Sequence, residues 1–111
     1  MAERTDLLRV GLAQINPTVG DLRGNARKIT DYIARARDEG AALVVFPELT
    51  LSGYPPEDLL LKTSFLDASQ LAIRELAAQT RDIVAIVGYP EQADDVYNTA
   101  AVLADGEVVA T

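Results

Sequence analysis

Residues 44–61 read VVFPELTLSGYPPEDLLL, and the parsing of this run decides the fold. Val44-Val45-Phe46 is an apolar, β-rich start with nothing in it to make a wet face. Pro47 stops it, because proline has no backbone N–H to continue a ladder and holds the residue before it extended. Glu48 then stands as a single carboxylate where the strand leaves its sheet. Open α/β sheets take their ligands beyond the carboxyl ends of their strands. Glu48 is therefore the leading candidate for a functional group.

Upstream, Leu7 to Ile15 (LLRVGLAQI) reads as a first strand, apolar enough to be central. Asn16 to Asp21 is a loop by its Asn-Pro and Gly content. A helix follows over about Leu22 to Glu39, with Asp21 or Asn25 as N-cap and Gly40 as the left-handed stop. Ala26, Ile29, Ile33 and Ala36 share one helical face, flanked by Tyr32, while Arg27, Asp31, Arg35 and Glu39 make a solvated stripe. The second strand, Ala41 to Phe46, should be central and covered on both sides. Ser64 with Asp67 reads as a short-armed capping box opening a helix to about Thr80, which buries Phe65, Leu66, Ile73, Leu76 and Ala77. Ile83 to Val87 is a third buried strand, closed by Gly88-Tyr89-Pro90. Val96 to Leu103 and Glu107 to Thr111 flank Asp105-Gly106, a pair suited to a two-residue type I′ hairpin. The fold class is α/β: a parallel β-α-β-α-β run joined by right-handed crossovers, then an antiparallel hairpin. A domain that stops at such a strand, with no helix returning to the sheet, reads as cut short.

Composition removes several function classes. The 111 residues suit one domain, and 49% apolar content is enough for a core. There is no histidine to serve a Ser-His-Asp triad and no cysteine for a disulfide or thiolate metal site. Carboxylate-only metal binding is left, but the acids are scattered, so no metal or other cofactor is expected within this chain. A net charge of -7 argues against nucleic acid or an anionic membrane as partner. No apolar run approaches the roughly 18 to 20 residues of a membrane span. Met1 to Arg9 is charged and lacks an apolar signal region, which reads as a cytoplasmic, unexported protein. Neither G-x-G-x-x-G nor a P-loop occurs, and Lys28 and Lys62 read as solvent-facing.

At Glu48 two readings stand side by side. Burial against Phe46 and Leu49 would raise its pKa towards neutrality and make a general base; otherwise it is a surface acid that solvates a strand end. Tyr54 either lines a pocket or packs on its own loop. Pro56 suits the first turn of a short helix, with Glu57 and Asp58 favouring its positive end.

The string VVFPELTLSGY resembles the nitrilase superfamily of carbon–nitrogen hydrolases, in which Phe-Pro-Glu closes the second strand and the Glu is the general base. GYPPEDLLL, with LRVGLAQINPTVGDLRGNARKI before it and YNTAAVLADGEVV after it, narrows the resemblance. These segments are similar to the N-terminal glutaminase domains of bacterial glutamine-dependent NAD+ synthetases, and the likeness runs from Leu8 to Thr111. It implies the N-terminal half of a four-layer α-β-β-α sandwich, residues 1–111 forming a partial domain without the synthetase domain. It also implies a Glu-Lys-Cys triad, in which the Glu takes the thiol proton, the Cys attacks the glutamine amide and the Lys steadies the oxyanion. Only the Glu carries over, to Glu48, with Tyr54 a candidate substrate contact. Neither Lys28 nor Lys62 matches the family's Lys, which falls just beyond the hairpin, and the chain has no Cys.

The resemblance further implies glutamine, deamido-NAD+ and ATP as small-molecule partners, Mg2+ with the ATP in the synthetase domain, and a homo-oligomer. The chain is then an N-terminal fragment of a competent enzyme, inactive alone. Two alternatives stay open: a free-standing amidase of the same superfamily, and a binding or assembly module that kept the fold and lost the chemistry.

Overall fold

Asp21 opens the first helix as its position predicts: its carboxylate accepts the Gly24 N–H at 2.9 Å, satisfying one of the unpaired donors of the first turn. The computed structural model describes residues 7–111, so Met1 to Asp6 of the charged N-terminal stretch lie outside the described residues. Helix α1 spans Leu22–Asp38 and α2 spans Thr63–Ala78. The strands are β1 Val10–Leu12, β2 Leu43–Val45, β3 Val84–Gln92, β4 Val96–Ala104 and β5 Glu107–Ala110. They form one sheet in that order. β1, β2 and β3 are parallel, with Gly11 opposite Val44 and Val44 opposite Ala85, while β3, β4 and β5 are antiparallel. Asp105 and Gly106 both take positive φ, 53° and 84°, as a type I′ turn requires.

The period-2 alternation of the strands separates two faces. Val44, Phe46, Ala85, Val87, Tyr89, Ala101 and Leu103 pack with Ile29 and Ile33 of α1 and Ile73, Leu76 and Ala77 of α2 in one core. The alternate residues Leu43, Val45, Val84, Ile86 and Val102 are only half-buried. Leu12, on the same side, is 78% exposed. Both helices thus cover one face, and among the described residues nothing covers the other. These are the helix layer and one sheet layer of the expected four. Among the described residues no helix is long and apolar enough to cross a membrane.

Several elements differ from their sequence reading. β1 is a three-residue edge strand, not a central one; an apolar run does not reveal whether a second neighbour pairs with it. β2 is central but covered on one face only. β3 does not close at Gly88-Tyr89-Pro90 but runs through to Gln92. The reason lies in which edge each residue presents. Phe46 donates to the Ile86 carbonyl at 3.0 Å and Leu51 to the Gly88 carbonyl at 3.1 Å, so residues 86, 88 and 90 turn their polar groups away from β4. The N–H that Pro90 lacks would point beyond the end of β2, where no ladder needs it.

α2 begins after an extended Lys62, which gives no side-chain cap, and Ser64 lies inside the first turn, so the capping box is not made. The 3-10 turn Glu57–Leu61 runs straight into that helix, with Pro56 flanking the turn instead of entering it. Phe65 is half-buried, and Ser69 takes a core position by donating to the Phe65 carbonyl at 2.9 Å. Ile29 is fully buried at the centre of the α1 contact. Replacing Ile29 with Ala should cost about 3 kcal/mol of stability, read from the denaturant midpoint at unchanged slope.

Candidate active site

The ladder between β2 and β3 ends where Phe46 donates to Ile86, and the chain then folds into a tight turn over residues 47–53. The Thr50 hydroxyl donates to the Pro47 carbonyl, and the Gly53 N–H to the Leu49 carbonyl at 2.9 Å. Leu49 takes φ of 50°, a left-handed conformation that costs a branched side chain about 1 kcal/mol or more and persists only where the surroundings impose it. Here they do. The turn lies flat on β3, so close that a Cβ on Gly88 would stand 2.5 Å from the Leu49 nitrogen. Leu49, Thr50, Leu51 and Ser52 are all buried.

A second set of bonds ties this turn to the loop after β1. Asn25 is fully buried and accepts the Thr18 N–H at 2.8 Å, while its amide donates to the Thr18 carbonyl at 2.8 Å and the Leu51 carbonyl at 2.9 Å. Gly20 adds a bond to the Ser52 carbonyl at 2.9 Å. Asn25 is therefore a clamp between two loops and not the N-cap; Asp21 holds that role. The three bonds of Asn25 are legible only in the structure, since an Asn three residues past the helix start at Leu22 looks like an alternative cap.

The clamped loops leave a cleft of about 380 Å³ lined by Asn16, Pro17, Pro47, Glu48 and Tyr54. Both residues nominated from the sequence thus face one space. Tyr54 is 64% exposed, so it does not pack into its loop. Glu48 is exposed as well. Phe46 and Leu49 on either side are buried, but the turn sends the carboxylate the other way, and the burial expected for it is not supplied by these residues. What it gains instead is a donor: the Asn98 side-chain amide on β4 reaches Glu48 Oε1 at 2.8 Å. Asn98 was not singled out by sequence reasoning, since a polar residue on an alternating strand has no mark of its own.

Other groups fall away from this space. The Lys28 ammonium donates to the Asn16 carbonyl at 2.8 Å, steadying the loop from outside the cleft, and Lys62 is exposed at the start of α2. Tyr89 is buried in the core, and that burial with the Glu91 carboxylate beside it pushes its hydroxyl up to about 12, so it stays neutral at ordinary pH. No cluster of metal-ligating side chains exists among the described residues. A larger hollow of about 470 Å³ opens between α1 and the unpaired edge of β1, beside Arg9, Tyr32 and Arg35, and does not include Glu48.

Residues 9–111 match the family model of the carbon–nitrogen hydrolases, and the chain belongs to that family. Within it, the chain is similar to glutamine-dependent NAD+ synthetases. It is 52% identical over 109 residues to that of Xylella fastidiosa, covering 96% of this chain and 20% of the relative. The crystal structure of the Cytophaga hutchinsonii glutamine-dependent NAD+ synthetase superposes with a TM-score of 0.86 at 30% identity, over 91% of this chain and 18% of that one. An amidase from Nesterenkonia sp. superposes with a TM-score of 0.76 at 31% identity, over 93% of this chain and 41% of its own. The chain therefore spans about a fifth of the length of the curated relative it matches.

Removing the clamp would leave buried backbone groups of two loops unpaired. Asn25→Ala is expected to destabilise the fold by about 3 kcal/mol, as measured by urea denaturation. Asn25→Asp, which keeps the acceptor but sets a buried carboxylate against the Thr18 and Leu51 carbonyls, should cost at least as much as the Ala variant.

Proposed function

We propose that this chain forms the first part of the glutamine-hydrolysing domain of a glutamine-dependent NAD+ synthetase, and that Glu48 is its general base. The observation that supports this most is the mounting of Glu48: a carboxylate on a strained, pinned turn, opening into a cleft at the carboxyl ends of parallel strands. Strain of this kind concentrates at functional sites. One carboxylate oxygen is held by Asn98, and on this reading the other takes the proton.

On this reading Glu48 accepts the proton of a cysteine thiol as the thiol attacks the side-chain amide of glutamine. A lysine ammonium steadies the oxyanion, ammonia leaves, and water cleaves the thioester. The Nesterenkonia amidase carries an active-site cysteine, whereas this chain has none and brings no lysine to the cleft. Thiol and ammonium must then come from residues outside these 111, and the chain by itself is inactive. Tyr54, which lines the same cleft, contacts the bound amide substrate. The released ammonia serves a separate synthetase domain, which uses ATP with Mg2+ to convert deamido-NAD+ to NAD+. Assembly as a homo-oligomer accompanies this reading.

A second reading, a free-standing amidase, is favoured by the amidase likeness, which reaches across a larger share of that chain than of the synthetases. The two differ in substrate. The full-length protein containing this segment should hydrolyse glutamine in preference to short aliphatic amides. Glu48→Gln should lower glutamine turnover by about a thousandfold without moving the melting temperature, because the side chain is exposed. Intact hydrolysis in that variant would refute the assignment, and a preference for aliphatic amides would favour the second reading.

A further inference from the structure

We infer that Asn98 is a positioning residue for Glu48, holding Oε1 so that the second oxygen faces the cleft as the proton acceptor. The inference rests on the general-base reading of Glu48 and adds a residue to it. The contact joins parts of the chain that the sheet ladder does not join there. β2 ends at Val45, but β3 and β4 continue past it as a two-stranded ribbon, β3 to Gln92 and β4 back from Val96. Asn98 lies on that ribbon opposite Pro90, beside the turn that carries Glu48.

The neighbours of Asn98 show that its bond is not generic surface pairing. The Tyr97 hydroxyl donates to Asp94 at 2.8 Å, and the Thr99 hydroxyl to Glu91 at 3.2 Å, both within the ribbon. Asn98 alone of these three reaches across to the strand-exit turn, 50 residues away in sequence, at 2.8 Å. Its chemistry suits the task. A carboxamide carries two N–H donors and neither gains nor loses a proton at ordinary pH. It can therefore hold a carboxylate in both of that group's protonation states without competing for the proton. A lysine in its place would add a charge, and a serine hydroxyl rotates freely. Among the described residues lining the cleft, Tyr54 is the only other titratable side chain.

The test is steady-state glutamine hydrolysis by the full-length protein. Asn98→Ala should lower kcat about tenfold, the worth of a hydrogen bond to a charged group at an exposed site, with KM changed less than about twofold. Asn98→Asp keeps the shape but turns a carboxylate towards Glu48, and should be at least as slow as the Ala variant. Asn98→Gln, which retains the amide on a longer stem, should recover part of the loss. Three results would overturn the inference: Ala and Asp variants within about twofold of wild type in kcat, an Asp variant that restores the rate by shape alone, or variants whose melting temperature falls by about 10 °C, which marks a fold role. If instead the wild type does not hydrolyse glutamine, or Glu48→Gln remains active, the general-base reading itself fails.

Discussion

The close approach of the Leu49 nitrogen to Gly88 is the constraint on which the candidate site depends. A side chain at position 88 has no room, so the turn over residues 47–53 lies directly on β3, with Leu49 in a conformation that is unfavourable in isolation. Four successive buried residues, Leu49 to Ser52, then anchor the turn from below. The result is that the single exposed acid of the turn has little freedom of backbone position. The general-base role proposed for Glu48 would require placement to within a fraction of an ångström, and the pinned backbone suits that requirement.

Asn25 extends that rigidity sideways. By bonding Thr18 and Leu51 together it makes the loop after β1 and the turn after β2 one unit. Asn16 and Pro17 are thereby held opposite Glu48 and Tyr54. Two parallel strands end side by side, their loops are stitched by one buried amide, and the cleft is the gap left between them. The sheet face that carries Leu12, Val45 and Ile86 has no cover among the described residues.

Much of this was legible in the sequence, and the parts that were not share a cause. The α1 stripe through Ile29 and Ile33 and the Asp105-Gly106 hairpin follow from local rules and stand as read, and of the two caps the sequence offers, Asp21 holds the role and Asn25 does not. β1 misled because apolarity reports burial of side chains and not the number of paired edges. β3 ran past Pro90 because a missing N–H matters only on a paired edge, and edges are a property of the sheet. Pro47 and the strand exit point to Glu48 from the sequence alone, and the structure puts Glu48 and Tyr54 in one cleft. Asn98 and the clamping role of Asn25 depend on contacts between distant segments, which leave no local mark. The exposure of Glu48 also departs from the local reading, since Phe46 and Leu49 are buried on the far side of the turn.

In the proposed reaction Glu48 removes the proton that lets a thiol attack glutamine. Its most direct test is the rate of formation of the covalent glutamyl thioester in the full-length protein, followed by rapid quench and intact mass. The adduct should form quickly in the wild type and about a thousandfold more slowly in Glu48→Gln. An adduct that forms at the wild-type rate without that carboxylate would contradict it.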